Sequence, residues 1–241
     1  MAYKGTAYHG WQRQANSLSV QQVLEESLTQ LNYTHAVVTG CGRTDTGVHA
    51  SDFYAHVDLE TAENADLAYA LNAVLPADIA IKQVTPVDSE SHARFDALSR
   101  TYTYRIHHQK DPFLIHQSLF HRKVLDIDAM NQAASHLIGR KEFTSFARHH
   151  GAQKTDFCDV REALWSREDG RSVFTITADR FLRNMVRAIV GTLLEVGTGK
   201  LVPEGFKLVL EAKERSAAGA SAPAHGLYLS RVEYPYIDRD E

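Results

Sequence analysis

The segment from Gly40 to Ala50 carries the residues best suited to chemistry in this sequence of 241 residues. Its letters are GCGRTDTGVHA, so a single carboxylate, Asp45, stands between two threonines and among three glycines. Glycines at this density favour an irregular loop, because glycine is used where φ is positive or another backbone approaches closely. An aspartate held in such a loop could act as a nucleophile or a base. Alternatively, Asp45 is a turn residue that bonds its own backbone, as aspartate commonly does.

Arg187 is a second candidate, because it lies in an apolar segment with the letters FLRNMVRAIVG at positions 181–191. A helix that is apolar nearly all round is expected to be buried. A buried guanidinium needs an acidic partner, since an unpaired buried charge costs several kcal/mol. Asp45 is a candidate partner that such a pair would keep ionised. The alternatives are a structural pair with another acid and an orientation of Arg187 towards a cleft.

Two further segments combine aromatic side chains with basic or amide groups. The letters RTYTYR at positions 100–105 place Tyr102 and Tyr104 on one face of a predicted strand. A tyrosine ring beside an arginine could stack on a nucleobase of single-stranded RNA, or both rings could pack in the core. The letters YHGWQRQ at positions 8–14 are typical of a ligand-facing loop, or of an N-terminal loop fixed by Trp11.

The histidines and cysteines do not have the spacing of a metal site. The sequence has 13 histidines but no HExxH motif, and its two cysteines, Cys41 and Cys158, lie far apart. It also has no GxGxxG motif and no P-loop, which are the common signatures of nucleotide cofactors. The sequence therefore predicts neither a metal nor a cofactor.

The composition is that of a globular protein, with 44% hydrophobic and 23% charged residues. No stretch of about 20 apolar residues occurs, which excludes a membrane-spanning helix. The first ten residues lack the apolar region of a secretory signal, and two cysteines cannot build a disulfide framework. These features predict a reducing, cytoplasmic location. The net charge of -4 does not by itself indicate a nucleic-acid partner. Basic residues concentrated in 92–110 and 140–187 could form an anion-binding patch, and scattered surface charge is the alternative.

The elements that must position these residues follow from hydrophobic periodicity and turn signals. Helices are predicted over 19–31, 64–75, 128–138, 181–196 and 203–213. Strands are predicted over 52–59, 79–84, 100–107, 119–124, 163–167, 173–178 and 227–234, and the segment 216–224 is interpreted as a flexible loop. Adjacent strands within an alternating order favour an α+β fold with a largely antiparallel sheet. Two halves of similar order predict an N-terminal domain 1–109 with the Asp45 loop and a C-terminal domain 110–241 with the Arg187 helix.

Six segments in chain order match the motifs of one enzyme family. They are YxGWQRQ at 8–14, GRTDxGVHA at 42–50, HARF at 92–95 followed by RxYxY at 100–104, EFTSF at 142–146, MVRxIVG at 185–191 followed by EVG at 195–197, and GLYL at 226–229. With these motifs the sequence resembles the tRNA pseudouridine synthase A family over essentially its whole length.

The resemblance implies an isomerase without cofactor or metal that converts uridine to pseudouridine at positions 38, 39 and 40 of the tRNA anticodon stem-loop. It implies the pseudouridine synthase fold, in which two ferredoxin-like halves form a continuous, mostly antiparallel sheet flanked by helices. The family is usually a homodimer whose basic cleft binds tRNA. A noncatalytic RNA-binding module of the same fold is the alternative.

The matching motifs also imply roles for single residues. Asp45 would be the nucleophile, and Arg43 would help to displace the target base and contact phosphate. Arg187 would pair with Asp45, and Tyr102 would stack on the flipped uracil. Whether Asp45 attacks C1′ of the ribose or C6 of the base stays open. The other substrate-binding residues implied are Arg100, Arg94, Phe95, Gln12 and Arg13.

The sequence departs from the family at its beginning. Family members usually have a longer strand before the Tyr3-Lys4-Gly5 segment, where this sequence has only Met1 and Ala2. We therefore expect either a truncated or mis-assigned start or an incomplete sheet edge.

Overall fold

The chain divides into two compact units in the computed structural model, which describes residues 1–59, 66–148 and 155–237. The first unit comprises Met1–Leu98 and Leu229–Glu241, and the second comprises Ser99–Tyr228. The expected mixed fold of helices and mostly antiparallel strands is confirmed. The predicted domains are consecutive halves of the chain, whereas the first unit takes residues from both ends. Among the described residues, no helix is long and apolar enough to cross a membrane.

The first unit contains short strands and two helices. They are β1 (Ala2–Tyr3), α1 (Val20–Gln30), β2 (Thr39–Gly40), β3 (His49–Ala50), β4 (Ala55–His56), α2 (Leu67–Val74) and β5 (Ile79–Ala80). β1 pairs antiparallel with β3 on one side and with β5 on the other, so that Tyr3 lies opposite both Ala50 and Ile79. β2 pairs antiparallel with β4. The segment with Asp45 is the connection between β2 and β3.

Helix α1 forms where the sequence predicts it, because a capping residue precedes an amphipathic segment. The Ser19 hydroxyl accepts a hydrogen bond from the Gln22 backbone N–H at 3.2 Å. Val20, Leu24 and Leu28 are buried at helical spacing. Helix α2 begins at Leu67 after its N-cap, Asp66, and predicted positions 64–65 lie outside the described residues.

The second unit contains longer strands and three helices. They are β6 (Ser99–His107), β7 (Leu119–Phe120), α3 (Ile127–Ser135), β8 (Gly139–Glu142), β9 (Phe157–Glu168), β10 (Arg171–Ala178), α4 (Met185–Gly197) and α5 (Pro203–Ala212). A last strand, β11 (Leu227–Glu233), begins in this unit. β6, β10, β9 and β8 are consecutive antiparallel neighbours, and β7 pairs parallel with β6. The strands predicted over 163–167 and 173–178 form an antiparallel hairpin, in which Asp169 and Gly170 connect β9 and β10 with φ values of 49° and 74°, as a type I′ turn requires.

Three predicted strands are much shorter in the structure. The predictions over 52–59, 79–84 and 119–124 correspond to ladders of two residues each. Burial in these segments does not require a ladder: Phe53 is fully buried, yet its backbone N–H donates to the Met1 carbonyl oxygen at 2.9 Å, outside any named strand. The alternation of apolar and polar residues therefore overestimates the length of these strands.

The segment 216–224 has no strand or α-helix, as the predicted loop requires, but it is packed on α4, which does not fit the predicted flexibility. The Ala222 N–H donates to the Arg187 carbonyl oxygen at 2.9 Å, and the Gly219 N–H donates to the Thr192 hydroxyl at 3.0 Å. At Gly191 a Cβ would clash with the Ala220 carbonyl oxygen. The small residues here allow close approach of two backbones.

Candidate active site

The loop between β2 and β3 presents Asp45 at the surface while its neighbours are anchored. Asp45 is half-buried, Arg43 is exposed, and Thr44 is 9% exposed. The Asp45 carbonyl oxygen accepts a hydrogen bond from the Val48 N–H at 3.1 Å, and Gly47 within this turn has a φ of 78°. Asp45 is therefore part of a tight turn and is also placed where a ligand could reach it.

The N-terminal segment fixes the course of this loop. The Gly47 N–H donates to the Tyr8 carbonyl oxygen at 3.2 Å, and the Trp11 N–H donates to the Thr44 carbonyl oxygen at 3.4 Å. Gly10 has a φ of 83°, and a Cβ there would clash with the same Thr44 oxygen. The backbone on both sides of Asp45 therefore depends on contacts with residues about 35 positions earlier in the chain.

The Tyr8 side chain anchors the N-terminal segment to the start of β5. Its hydroxyl donates a hydrogen bond to Asp78 Oδ1 at 2.6 Å. Burial raises the pKa of Tyr8, and the nearby Asp78 carboxylate raises it further. The phenol therefore keeps its proton as a donor.

Gln12 and Arg13 are exposed and lie against α1. Gln12 Nε2 donates to Gln21 Oε1 at 2.9 Å, and Arg13 Nη1 forms an ion pair with Glu25 Oε2 at 2.9 Å. The Arg13 backbone N–H donates to the same Gln21 oxygen at 2.8 Å. An anionic ligand that binds Arg13 would have to compete with Glu25.

Arg94 and Phe95 lie on an exposed turn of the first unit. Phe95 is 74% exposed, and the Arg94 guanidinium carbon is 5.6 Å from the centre of its ring. His92 supports the turn, because its Nδ1 accepts hydrogen bonds from the N–H groups of Arg94 and Phe95 at 3.1 and 3.3 Å. The His92 backbone N–H donates to Asp96, which lowers the pKa of that carboxyl. An exposed aromatic ring beside an arginine is a surface on which a base can stack.

The two tyrosines of β6 have different surroundings in the second unit. Tyr104 is fully buried, and its hydroxyl donates to the Pro223 carbonyl oxygen at 2.9 Å. Tyr102 is half-buried, and its ring meets Phe181 edge-on with ring centres 5.1 Å apart. Arg100 Nη1 donates to the Asp179 carbonyl oxygen at 2.9 Å. Tyr104 therefore packs in the core, which was one of the two possibilities for these tyrosines, while part of Tyr102 remains exposed.

Arg187 lies in α4, which is mostly buried, as its apolar sequence predicts. Arg187 itself is half-buried, and its Nε donates to the Ala222 carbonyl oxygen at 2.8 Å. The segment packed on α4 therefore sets the direction of the guanidinium. The pairing of Arg187 with Asp45 stays a prediction.

Sequence reasoning missed a contact beneath the Asp45 loop. The Tyr3 hydroxyl and Thr44 Oγ1 are 3.0 Å apart and hydrogen-bonded. The two residues are 41 positions apart, so no local pattern relates them. The signal that could have drawn attention to Thr44 is its place directly before Asp45.

Comparison with known proteins identifies the family. Residues 1–96 and 133–235 match the family described as tRNA pseudouridine synthase. The chain belongs to this family. The matched ranges include Asp45 and Arg187, while Arg100 and Tyr102 fall between them.

Several curated members of the family are close relatives over nearly the full length. The tRNA pseudouridine synthase A of Porphyromonas gingivalis is 51% identical over 240 residues, which cover 98% of this chain and 95% of that protein. The proteins of the same name from Parabacteroides distasonis and Francisella tularensis are 49% and 41% identical, covering 98% and 97% of this chain and 94% and 92% of those proteins. The resemblance inferred from the motifs is thereby confirmed.

Proposed function

We propose that the protein isomerises uridine to pseudouridine at positions 38, 39 and 40 of the tRNA anticodon stem-loop, with Asp45 as the nucleophile. The observation that carries this proposal is the Asp45 loop itself. A half-buried carboxylate follows an anchored threonine, two residues after an exposed arginine, in a member of the tRNA pseudouridine synthase family. A single carboxylate on a rigid loop suits covalent catalysis.

The reaction exchanges one bond between base and ribose for another. The Asp45 carboxylate either displaces N1 from C1′ of the ribose or adds to C6 of the uracil. In both cases the N1–C1′ bond breaks, and the base then rotates within the site. C5 then bonds to C1′, the carboxylate leaves, and the proton lost from C5 is balanced by one gained at N1. No net oxidation or reduction occurs, so a carboxylate can serve without a redox partner.

The target nucleotide must leave its stack before Asp45 can reach it. Base flipping costs a few kcal/mol, which contacts to the flipped base and to the phosphates must offset. Arg43 is exposed and suits phosphate contact and displacement of the base. The half-exposed Tyr102 ring suits stacking on the uracil. The remaining proposed contacts to tRNA come from Arg100, Arg94, Phe95, Gln12 and Arg13.

Three further features of the protein are proposed as well. They are the Arg187–Asp45 pair, a homodimer that binds tRNA in a basic cleft, and a cytoplasmic location. Each stays a prediction.

The test of the proposed function is an Asp45→Asn variant incubated with a tRNA transcript that carries uridine at positions 38–40. We expect the variant to bind tRNA like the unaltered protein but to form pseudouridine at least about 10³-fold more slowly, as when a nucleophile is removed. Binding is measured by gel shift and the product by mapping pseudouridine in the transcript. Asp58→Asn, which neutralises an exposed acid in the same unit, is the control and should keep full activity.

The same experiment separates the alternative. Product formation by Asp45→Asn at the normal rate would show that Asp45 is not the nucleophile. If the unaltered protein binds tRNA and forms no pseudouridine, the noncatalytic RNA-binding module is the better description.

A further inference from the structure

The Tyr3 ring is fixed in an aromatic cluster beside the Asp45 loop. Its centre lies 5.4 Å from that of Phe53 and 6.4 Å from that of Trp11, and those two rings stack at 4.2 Å. All three side chains are at least 96% buried. The Tyr3 backbone is fixed as well, because β1 pairs with a strand on each side. The hydroxyl at the end of this ring therefore has a well-defined position.

This hydroxyl is hydrogen-bonded to Thr44, which directly precedes Asp45. The distance from the Tyr3 oxygen to Thr44 Oγ1 is 3.0 Å, and the two residues are 4% and 9% exposed. Buried hydroxyls without a partner are costly, so each group holds the other in place. Thr44 is thus anchored through its side chain as well as through its carbonyl oxygen, which accepts from the Trp11 N–H.

We propose that the buried Tyr3–Thr44 hydroxyl pair positions the Asp45 carboxylate for attack, which makes Tyr3 and Thr44 positioning residues; this inference rests on the proposed function. Asp45 lies between two anchors, the hydroxyl pair before it and the turn closed by the Val48 N–H after it. The turn hydrogen bond fixes the carbonyl oxygen of Asp45. The hydroxyl pair fixes the preceding residue, and together they limit the directions that the carboxylate can take.

The experiment removes the hydroxyl pair without changing the shape of either side chain much. Thr44→Val and Tyr3→Phe each delete one hydroxyl, and Thr44→Ser restores a hydroxyl at position 44. A displacement of about 1 Å near reacting atoms can cost roughly 100-fold in rate. We therefore expect single-turnover pseudouridine formation to fall about 10- to 100-fold in Thr44→Val and Tyr3→Phe. The dissociation constant for tRNA should change less than about twofold, because both side chains are buried.

Rescue and coupling distinguish positioning from general destabilisation. Thr44→Ser should form product within about threefold of the normal rate. The double variant Tyr3→Phe/Thr44→Val should be no slower than the slower single variant, because the two hydroxyls act together. Ser172→Ala removes a buried hydroxyl that hydrogen-bonds His108 in the second unit. It should lower the melting temperature without lowering the rate.

Several results would overturn the inference. These are a normal single-turnover rate in Thr44→Val, a Thr44→Ser variant as slow as Thr44→Val, or additive losses in the double variant. If Thr44→Val does not fold, Tyr3→Phe, which keeps its ring in the aromatic cluster, decides the question by its rate. An inactive Asp45→Asn with a normal Thr44→Val would refute the positioning role alone. An Asp45→Asn variant with the normal rate would refute Asp45 as the nucleophile, and an unaltered protein that binds tRNA but forms no pseudouridine would refute the proposed function itself.

Discussion

At the scale of single residues, the Asp45 loop depends on glycines that let two backbones touch. At Gly5 a Cβ would clash with the Val48 carbonyl oxygen, and at Gly10 it would clash with the Thr44 carbonyl oxygen. Both glycines belong to the N-terminal segment, and both contacts lie within three residues of Asp45. The position of the proposed nucleophile is therefore set partly by the absence of side chains elsewhere.

Gly10→Ala tests this dependence. Alanine at a φ of 83° is strained by about 1–2 kcal/mol, and its Cβ would also push the Thr44 carbonyl away. We expect a lower melting temperature and a single-turnover rate reduced about tenfold or more, because the loop must move.

Gly139→Ala is the matched control for this prediction. Gly139 has a φ of 96°, and within the described part of the chain a Cβ there would meet no other atom closer than 4 Å, so alanine adds strain without a clash. This variant should have a lower melting temperature and an unchanged rate. Equal rates in Gly10→Ala and the unaltered protein would show that the contact does not set the loop.

The sequence reveals Asp45 more readily than its supports. One carboxylate among three glycines is visible in a short window, and so is Arg187 in an apolar segment. The partners of these residues are far apart in sequence, as the Tyr3–Thr44 and Arg187–Ala222 hydrogen bonds illustrate. A hydrogen bond between distant residues leaves no periodic pattern, so only the structure reveals it.

At the scale of elements, the packing of segment 216–224 on α4 orients Arg187. The carbonyl oxygen of Arg187 accepts from the Ala222 N–H, and its Nε donates to the Ala222 carbonyl oxygen. This double contact is possible because Gly191, one turn further along α4, lets the backbone at Ala220 approach. The direction of the arginine therefore depends on a close fit between helix and segment.

Gly191→Ala should disturb this fit. The added Cβ meets backbone, which cannot yield like a flexible side chain, so we expect a loss of about 1–3 kcal/mol in the free energy of unfolding, measured with denaturant. Gly205→Ala in α5 is the control, because there the nearest atom to the Cβ would be the end of the Leu201 side chain. That variant should be as stable as the unaltered protein or slightly more so, since alanine favours helix by up to about 1 kcal/mol over glycine. Equal stability of both variants would contradict the close fit.

Helices were predicted better than strands of only two residues. The five predicted helices all occur, since an amphipathic pattern or a continuous apolar segment identifies each. β2 and β3, which flank Asp45, have two residues each, too few to show alternation. The loop character of 216–224 was predicted, but its packing was not, because the same small residues are typical of a flexible linker and of a loop packed closely on a helix.

At the scale of the whole molecule, a protein with a net charge of -4 must bind a polyanion through local concentrations of positive charge. Binding of the proposed tRNA substrate should therefore weaken as salt rises, because phosphate contacts release counterions. The slope of log K against log salt then indicates the number of phosphate contacts.

Arg43→Gln tests one of these contacts. If Arg43 touches phosphate, the variant should bind tRNA more weakly, and the slope of log K against log salt should be smaller by about one. Lys207→Gln is the control, since exposed Lys207 is paired with Glu211 on α5, and its slope should be unchanged. A normal slope for Arg43→Gln would exclude phosphate contact by this residue.

The division of the chain has a consequence for its synthesis. The N–H groups of Ser51 and Asp52, just after the Asp45 loop, both donate to the Leu229 carbonyl oxygen, and the Leu98 N–H donates to that of Glu233. The ribosome makes these acceptors after the whole of the second unit, which is one uninterrupted stretch, Ser99–Tyr228. A nascent chain can therefore finish the second unit first, and the part that carries the aspartate completes these backbone hydrogen bonds only after Ser99–Tyr228 has been made.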